Sequence, residues 1–185
     1  MDYHKFISQK RIAANPTGLD PVEPIASHLF DFQKCVVKWA LKRGRAAIFA
    51  DCGLGKTPQQ IEWAKHVAAH TGKPVIILAP LAVAAQTERE GLKFHTIVTR
   101  VECGADIVAN EGRIYVTNYD KLHKFDDVDF GGVVLDESSI LKSFDGKTKQ
   151  RLCDRFMRTQ FKLCCTATPA PNDYTELGNH CEFLG

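Results

Sequence analysis

Short continuous apolar runs alternate along the chain with longer segments in which apolar residues recur every three or four positions. Continuous runs are typical of strands that are buried on both faces, as in a parallel sheet. They predict strands at Ala46–Ala50, Val75–Ala79, Ile97–Glu102, Ile114–Thr117, Val133–Asp136 and Phe161–Thr166. The helical period predicts helices at Phe32–Arg43, Thr57–His70, Leu81–Phe94, Ala105–Glu111, Asn118–Lys124 and Thr148–Met157. Because strands and helices alternate, we expect an α/β fold, with a doubly wound, mostly parallel sheet and helices on both faces.

Bulk composition fits one soluble domain. The chain has 185 residues, 44% hydrophobic and 25% charged, which is enough to bury a core of its own. A net charge of +2 neither requires nor excludes nucleic acid, so any basic surface must be local. Seven cysteines without a Cys-x-x-Cys pair predict buried thiols in a reducing compartment. No apolar signal region opens the chain, and the longest apolar run, Val75–Ala85, is too short to span a bilayer, so we expect a cytoplasmic protein without a membrane partner.

Residues 46–57 read Ala-Ala-Ile-Phe-Ala-Asp-Cys-Gly-Leu-Gly-Lys-Thr and are the most informative stretch of the sequence. A strand, a glycine-containing turn, Gly-Lys-Thr and a helix in that order are typical of a Walker A loop, which binds nucleotide phosphates. Lys56 is expected to reach the β- and γ-phosphates, and the Thr57 hydroxyl to bind Mg²⁺. The full pattern would place glycine at position 50, where this chain has alanine, and an ordinary turn before a helix is the alternative. The predicted phosphate-binding residues are Cys52, Gly53, Leu54, Gly55, Lys56 and Thr57.

A second strand ends in two adjacent carboxylates, Asp136 and Glu137, at the kind of strand end where open α/β sheets bind ligands. Asp136 suits Mg²⁺, as in a Walker B motif, and Glu137 suits orienting and deprotonating the attacking water. With Lys56, these two acids are the predicted catalytic residues. A third apolar strand ends in Thr166-Ala167-Thr168-Pro169, whose hydroxyls could sense a phosphate or bond to the two acids. Plain turns after strands are the alternative for both segments.

Taken in order, these segments resemble the motifs of superfamily 2 helicases and translocases of the DEAD/DEAH type. The similar segments are Leu29–Gln33 (Q-type element), Ala50–Thr57 (motif I), Ile77–Pro80 (Ia), Val116–Tyr119 (Ib), Asp136–Ser139 (II) and Thr166–Pro169 (III). The resemblance is greatest to the Swi/Snf-like branch, in particular to the small helicase-like proteins of phages and prophages. It covers about residues 29–185 and implies one RecA-like ATP-binding domain there, preceded by an N-terminal extension at 1–28.

The resemblance implies roles for further residues. Gln33 would bind the adenine edge, with an ordinary exposed helix-start residue as the alternative. The strand ending at Thr166 would lie between the strand before the phosphate loop and the strand ending at Asp136. Residues near the backbone of DNA, with RNA not excluded, would be Pro80, Leu81, Thr117, Asn118 and Tyr119, unless these form simple turns. Residues that couple hydrolysis to movement would be Ser138, Ser139, Thr166, Ala167 and Thr168.

Two departures from the family pattern change this expectation. Motif II reads Asp-Glu-Ser-Ser instead of Asp-Glu-Ala-His or Asp-Glu-Ala-Asp, although both serines could still bond to motif III. The sequence ends at Gly185, before the family's second RecA-like domain and its arginine finger. Because such an arginine contributes a factor of about 10³–10⁵ to turnover, we expect Mg²⁺-ATP binding with very slow hydrolysis and a second RecA-like domain as partner, in cis or in trans.

Other functions are left open by these residues. The chain could be a non-catalytic module that binds nucleotide, DNA or a partner, or half of a split ATPase. An unrelated phosphate-loop kinase is a third alternative, but no lid with clustered arginines is evident in the sequence.

Two weaker signals also have two interpretations each. The segment Lys142–Lys162 holds seven basic residues, and a helix at Thr148–Met157 would place Arg151, Arg155 and Arg158 on one face. That face could bind phosphates of a nucleic acid or could simply be solvated. His66 and His70 have a spacing that can bind zinc, but no third ligand is evident.

Overall fold

Six parallel strands form a single sheet in the order β1-β6-β5-β2-β4-β3. The structure is a computed structural model that describes residues 16–21, 23–109, 113–142 and 146–185. The strands are β1 (Arg45–Phe49), β2 (Val75–Ala79), β3 (Thr99–Arg100), β4 (Ile114–Asn118), β5 (Gly132–Asp136) and β6 (Phe161–Thr166). As the resemblance implied, β6 lies between β1 and β5.

Helices connect the strands. The α-helices are α1 (Asp31–Arg43), α2 (Lys56–Thr71), α3 (Leu81–Lys93), α4 (Gly104–Ala109), α5 (Lys147–Phe156) and α6 (Leu177–Leu184). Short 3₁₀ helices occupy Tyr119–Phe125, Ser138–Lys142 and Tyr174–Glu176. No described helix is long and apolar enough to cross a membrane.

Both faces of the sheet are covered, which explains why the strands read as continuous apolar runs. Alternate residues of a strand point to opposite faces. In β2, Ile77 joins the hydrophobic cluster under α1, α2 and α3, whereas Ile76 joins the cluster under α4, α5 and α6. The predicted α/β class, with a mostly parallel sheet and helices on both faces, is therefore confirmed.

The predicted elements differ from the structure mainly at the edge of the sheet and at the end of the chain. The strand predicted at Ile97–Glu102 is ordered as a ladder only at Thr99–Arg100, because β3 is an edge strand that pairs with β4 alone. Asn118–Lys124, predicted as a helix, falls in a 3₁₀ helix whose buried Leu122 and Phe125 are three residues apart, which suits three residues per turn. Helix α6 was not predicted.

The N-terminal segment adds to the core before α1 begins. Leu19 is buried and its N–H donates to the Leu41 carbonyl oxygen at 2.9 Å. Leu29 is also buried and joins the same hydrophobic cluster. Most of the predicted extension at 1–28, namely residues 1–15 and Val22, lies outside the described residues, and so do residues 110–112 of the helix predicted at Ala105–Glu111.

Candidate functional site

Three chain segments meet where β1, β6 and β5 end. Parallel strands deliver these ends to the same edge of the sheet, where ligands of open α/β sheets bind. The first segment is the loop Ala50–Gly55, called here the glycine loop, and the second is Asp136–Ser138, called the acid turn. The third is Thr166–Thr168, which begins at the last residue of β6. The Ala50 N–H donates to the Thr166 carbonyl oxygen at 3.2 Å, which ties the glycine loop to the third segment.

The glycine loop has the backbone shape of an anion-binding loop. Gly53 and Gly55 have φ angles of 79° and 70°, in the left-handed region that favours glycine. Helix α2 begins directly after them at Lys56, and no side chain caps its first turn. The first N–H groups of an α-helix lack partners within the helix and carry its positive dipole end, so this turn can bind an anion. Ala50 is not among the described residues with positive φ, so the turn does not need glycine at that position.

The Lys56 side chain lies inside the glycine loop and bonds to its backbone. Its Nζ donates to the carbonyl oxygens of Ala50 and Asp51 at 2.9 and 3.2 Å. The other side of the loop is held by two glutamines. Nε2 of Gln33 and Nε2 of Gln59 both donate to the Leu54 carbonyl oxygen, at 3.0 and 3.1 Å. The loop is therefore fixed by amide and ammonium groups, while Cys52 and Leu54 are exposed at its tip.

Asp136 is a buried carboxylate held by two side chains. Its Oδ1 accepts a hydrogen bond of 2.7 Å from Gln60 Nε2, and its backbone carbonyl accepts one of 2.7 Å from the Tyr119 hydroxyl. Burial raises the pKa of Asp136, and the charge of Glu137 raises it too, while the bond from Gln60 and the charge of Lys56 act in the opposite direction. A bound cation stabilises the charged form of a buried carboxylate whose pKa is raised. Asp136 therefore has the properties expected of a metal ligand.

Glu137 stands in an unusual backbone conformation. Its φ is 55°, and His95 is the other non-glycine residue with a positive φ in the described part of the chain. Left-handed backbone at a non-glycine residue costs about 1–2 kcal/mol, so surrounding contacts must hold it. The Thr166 hydroxyl donates to Glu137 Oε1 at 3.5 Å, and the Thr168 N–H donates to the Thr166 hydroxyl at 3.0 Å. The third segment therefore reaches the acid turn through Thr166, and a coupling role for Ala167 stays a prediction.

The contacts of the two serines after the acids differ from the expected bonds to motif III. Ser138 is fully buried, and its Oγ lies 3.1 Å from Nε2 of His180, on α6. Ser139 is half-buried in the 3₁₀ helix that follows. Burial lowers the pKa of His180, so its ring is neutral near pH 7.

Lys56 and Asp136 are linked through the start of α2. Helix α2 provides the link, because Gln60 stands one turn after Lys56 and bonds directly to Asp136. Thr57, next to Lys56, is half-buried at the start of the same helix. The edge thus combines an uncapped helix start and an ammonium group, which suit phosphate, with a buried carboxylate and a hydroxyl, which suit Mg²⁺.

The residues predicted to approach nucleic acid gather at the ends of β2 and β4. Leu81 is 77% exposed beside Pro80 at the start of α3, and a small cavity of about 60 Å³ lies between Leu81, Thr117 and Asn118. The Thr117 hydroxyl donates to the Val101 carbonyl oxygen at 2.7 Å, and the Tyr119 hydroxyl donates to the backbone carbonyl oxygen of Asp136. In this conformation Leu81 is the member of the set with a freely accessible side chain.

The basic segment is less exposed than its sequence indicates. Lys149 is buried against Glu182 and Asn179, and the Lys162 ammonium donates to the Phe183 carbonyl oxygen at 2.7 Å. Arg155 packs over Phe130 and Phe156 and bonds to the carbonyl oxygens of Phe125 and Val128. Arg151 and Arg155 line one surface cavity together, whereas α5 ends at Phe156, before Arg158, so a phosphate-binding role for this face stays a prediction.

The histidine pair and the cysteines also take different roles. His66 is buried and bonds to Glu62 Oε1 at 3.1 Å, while His70 is exposed with its ring edge on Phe161. Within the described ranges no group of three or more His, Cys, Asp or Glu residues could hold a metal ion. All seven cysteines are free; Cys164 and Cys165 are buried as expected, but Cys35, Cys52 and Cys181 are exposed because their helix faces and loop point outward.

The sequence did not predict the roles that three residues of the site have in the structure. Gln60 lies four residues after Lys56, so helical spacing alone could have placed it beside the acids. Tyr119 was assigned only to nucleic acid. His180 is far along the chain in an unpredicted helix, and no local pattern connects it with the acid turn.

The six-stranded parallel sheet, in this strand order and with helices on both faces, has the RecA-like fold of helicase cores. The chain belongs to the SNF2-related domain family, whose model matches residues 32–185. The Swi/Snf-like assignment within superfamily 2 is thereby confirmed, while a phage origin stays a prediction.

Solved structures with the same fold include helicase and SWI2/SNF2 domains. The Sulfolobus solfataricus SWI2/SNF2 ATPase core in complex with double-stranded DNA is 23% identical, with a TM-score of 0.76 over 90% of this chain and 38% of that chain. The UvsW helicase from bacteriophage T4 is 14% identical, with a TM-score of 0.66 over 97% of this chain and 65% of that one. The Pyrococcus furiosus Hef helicase domain is 16% identical, with a TM-score of 0.65 over 83% and 36% of the two chains. No curated protein sequence matches the chain significantly.

Proposed function

We propose that the chain is the Mg²⁺-ATP-binding first domain of a nucleic-acid-dependent helicase or DNA translocase. The observation that carries this proposal is the uncapped start of α2, with Lys56 inside the glycine loop and Gln60, one turn later, bonded to the buried Asp136. A phosphate chain with a bound cation complements all three features at once.

Each residue has a stated task in this proposal. Lys56 leaves the carbonyl oxygens of its own loop to bind the β- and γ-phosphates, while the N–H groups at the start of α2 hold the same phosphates. Thr57 and Asp136 would hold Mg²⁺, which would neutralise charge that develops on the phosphate oxygens. Glu137 orients the attacking water and accepts its proton. Gln33, whose amide already fixes Leu54 of the loop, would face the adenine edge from the same position.

Hydrolysis by this chain alone is proposed to be very slow. The chain spans 38% of the length of the SWI2/SNF2 ATPase core to which it is similar. In the family, ATP is hydrolysed in the cleft between two RecA-like domains, and the second domain supplies an arginine. The partner domain, in cis or in trans, would therefore complete the site, and movement of the two domains would be converted to stepping along DNA.

Nucleotide binding tests the proposal directly. Binding of a fluorescent ATP analogue with Mg²⁺ is measured for the wild type and for Lys56→Ala, and displacement by unlabelled ATP shows that the site is occupied specifically. The matched control is Lys65→Ala, a lysine of the same helix that pairs with Glu23 on the surface. We expect loss of binding in Lys56→Ala and none in the control. Equal affinity of the wild type and Lys56→Ala would refute the role of the glycine loop.

A non-catalytic module that binds nucleotide is the second candidate, because the features of the glycine loop and of the start of α2 suit phosphate binding and do not by themselves require hydrolysis. Turnover separates the two functions. Single-turnover hydrolysis is measured with the protein in excess, with and without double-stranded DNA, for the wild type and for Glu137→Gln. Hydrolysis that DNA stimulates and Glu137→Gln removes supports the enzyme. Binding of ATP with no hydrolysis under either condition supports the binding module.

A further inference from the structure

The acid turn and the 3₁₀ helix that follows it are each fastened to α6 at one point. His180 Nε2 lies 3.1 Å from Ser138 Oγ, and both side chains are buried. One residue earlier on α6, Asn179 Nδ2 donates to the carbonyl oxygens of Leu141 and Lys142 at 2.8 and 3.2 Å. Both ends of the 3₁₀ helix that leaves the acid turn are thus held by adjacent residues of one helix.

His180 also contacts the strand that leads into the glycine loop. Its ring and the ring of Phe49 pack edge to face, with a centroid distance of 5.2 Å and an interplanar angle of 82°. Phe49 ends β1, immediately before Ala50. One buried imidazole therefore touches the acid turn through a hydrogen bond and the start of the glycine loop through an edge-to-face ring contact.

The backbone at Glu137 explains why such a support is needed. Its left-handed conformation, with φ of 55°, is unfavourable for a glutamate unless neighbouring residues hold the turn. On the chain side after Glu137, the first side chain with fixed partners is Ser138, which lies within hydrogen-bond distance of His180 Nε2 and also bonds to the Cys164 thiol on β6. If the bond with His180 is lost, the turn can relax towards an ordinary φ, and the Glu137 carboxylate then changes direction.

We propose that His180 is a positioning residue for ATP hydrolysis, which acts through Ser138 to hold Glu137 in the orientation that serves the attacking water. This inference rests on the proposed function, because it assigns to His180 a part in the same site. It predicts a loss of hydrolysis with nucleotide binding retained, since the phosphate contacts of the glycine loop and α2 are made by other residues.

The test compares four variants in the full chain. His180→Leu removes the hydrogen bond and keeps much of the bulk, whereas His180→Gln keeps an amide that can reach Ser138. Ser138→Ala removes the other partner, and the double variant Ser138→Ala/His180→Leu closes a mutant cycle. The control is His66→Leu, because His66 is an equally buried histidine on α2 that bonds to Glu62 away from the acid turn.

We expect His180→Leu to lower the single-turnover hydrolysis rate by about tenfold to a hundredfold, as small displacements of catalytic groups do. Affinity for Mg²⁺-ATP stays at the wild-type value, His180→Gln recovers most of the rate, and the double variant is no slower than His180→Leu. An unchanged rate in His180→Leu, in a protein whose Glu137→Gln variant is inactive, would overturn the proposal. Parallel loss of affinity and rate would overturn it as well.

A second measurement does not depend on turnover. Amide hydrogen exchange, followed by mass spectrometry, reports separately on residues 133–142 and on the start of α2. Faster exchange at 137–142 in His180→Leu, but not in His66→Leu, supports the positioning role, and equal exchange in the two variants overturns it. If the wild type binds no ATP, the proposed function fails, and this exchange measurement still decides whether His180 holds the acid turn.

Discussion

Gly55→Ala offers a quantitative test of how the glycine loop is built. Gly55 has a φ of 70°, and left-handed backbone costs an alanine about 1–2 kcal/mol. An added Cβ would also lie 2.4 Å from Gln33 Nε2, so the amide must move. Gln33 then loses its bonds with the Leu54 carbonyl oxygen and the Phe30 N–H, which are worth about 1 kcal/mol each. Together these costs predict a destabilisation of about 3–4 kcal/mol.

Gly53→Ala is the matched control, because it shares the backbone cost without the collision. Gly53 has a φ of 79°, but an added Cβ meets nothing within 4 Å. We therefore expect Gly53→Ala to cost only about 1–2 kcal/mol. The free energy of unfolding is measured by urea denaturation followed by circular dichroism, with the slope m compared between variants.

A third variant isolates the contact with Gln33. In the background of Gln33→Ala the collision is absent, so the added cost of Gly55→Ala should fall to that of Gly53→Ala. Equal destabilisation by Gly53→Ala and Gly55→Ala in the wild-type background would refute the reasoning, since it would show that Gln33 yields without loss.

Three further changes test the site and the core. Asp136→Asn should weaken the dependence of ATP-analogue binding on Mg²⁺, and an unaltered metal titration would count against Asp136 as a ligand. Glu62→Gln should make the free energy of unfolding less sensitive to acid. Burial raises the pKa of Glu62, but the hydrogen bonds with His66 and the Ala26 N–H lower it further, so the pKa is below its ordinary value. The stability that these bonds contribute is present above about pH 4.3 and is lost as the pH falls towards the lowered pKa. Urea unfolding at several pH values would show it as a flatter acid limb. Phe156→Ala removes a fully buried ring at the end of α5 and should lower the free energy of unfolding by about 3–5 kcal/mol in the same assay. A smaller loss than that of a surface substitution would contradict the packing described.

The architecture could be predicted because its signals are local and repeated. Each strand core is a run of apolar residues such as Val75–Ala79, and a run of that kind is stable only between two covering layers. Gly53, Gly55 and Lys56 likewise predict the glycine loop, because they stand between a strand and a helix in the order typical of a phosphate-binding loop. The boundaries of α1, α2 and α3 follow from the same periodicity and differ from the structure by one residue at most ends.

The contacts that finish the site were not predictable in this way, because they join residues far apart in the chain. His180 and Ser138 are separated by 42 positions, and α6 presents buried polar residues instead of an apolar stripe. Lys149 and Lys162 read as surface charges, but the first pairs with Glu182 and the second caps a carbonyl at the end of α6. Whether a lysine turns inward is decided by the partner that the fold brings to it, and no spacing in the sequence records that partner.

The supports of the acid turn are unequal in length, and this inequality indicates how a change at the glycine loop reaches Glu137. Gln60 and Tyr119 hold Asp136 through bonds of 2.7 Å, whereas the Thr166 hydroxyl lies 3.5 Å from Glu137, beyond the usual length of such a bond. Thr166 is also the residue whose carbonyl oxygen accepts the Ala50 N–H. Because its contact with Glu137 is the weakest of the set and its contact with Ala50 reaches the glycine loop, a displacement of that loop should alter the Thr166–Glu137 distance before it disturbs Asp136. Strand β6, set between β1 and β5, is therefore the element through which we expect phosphate binding to be sensed by Glu137.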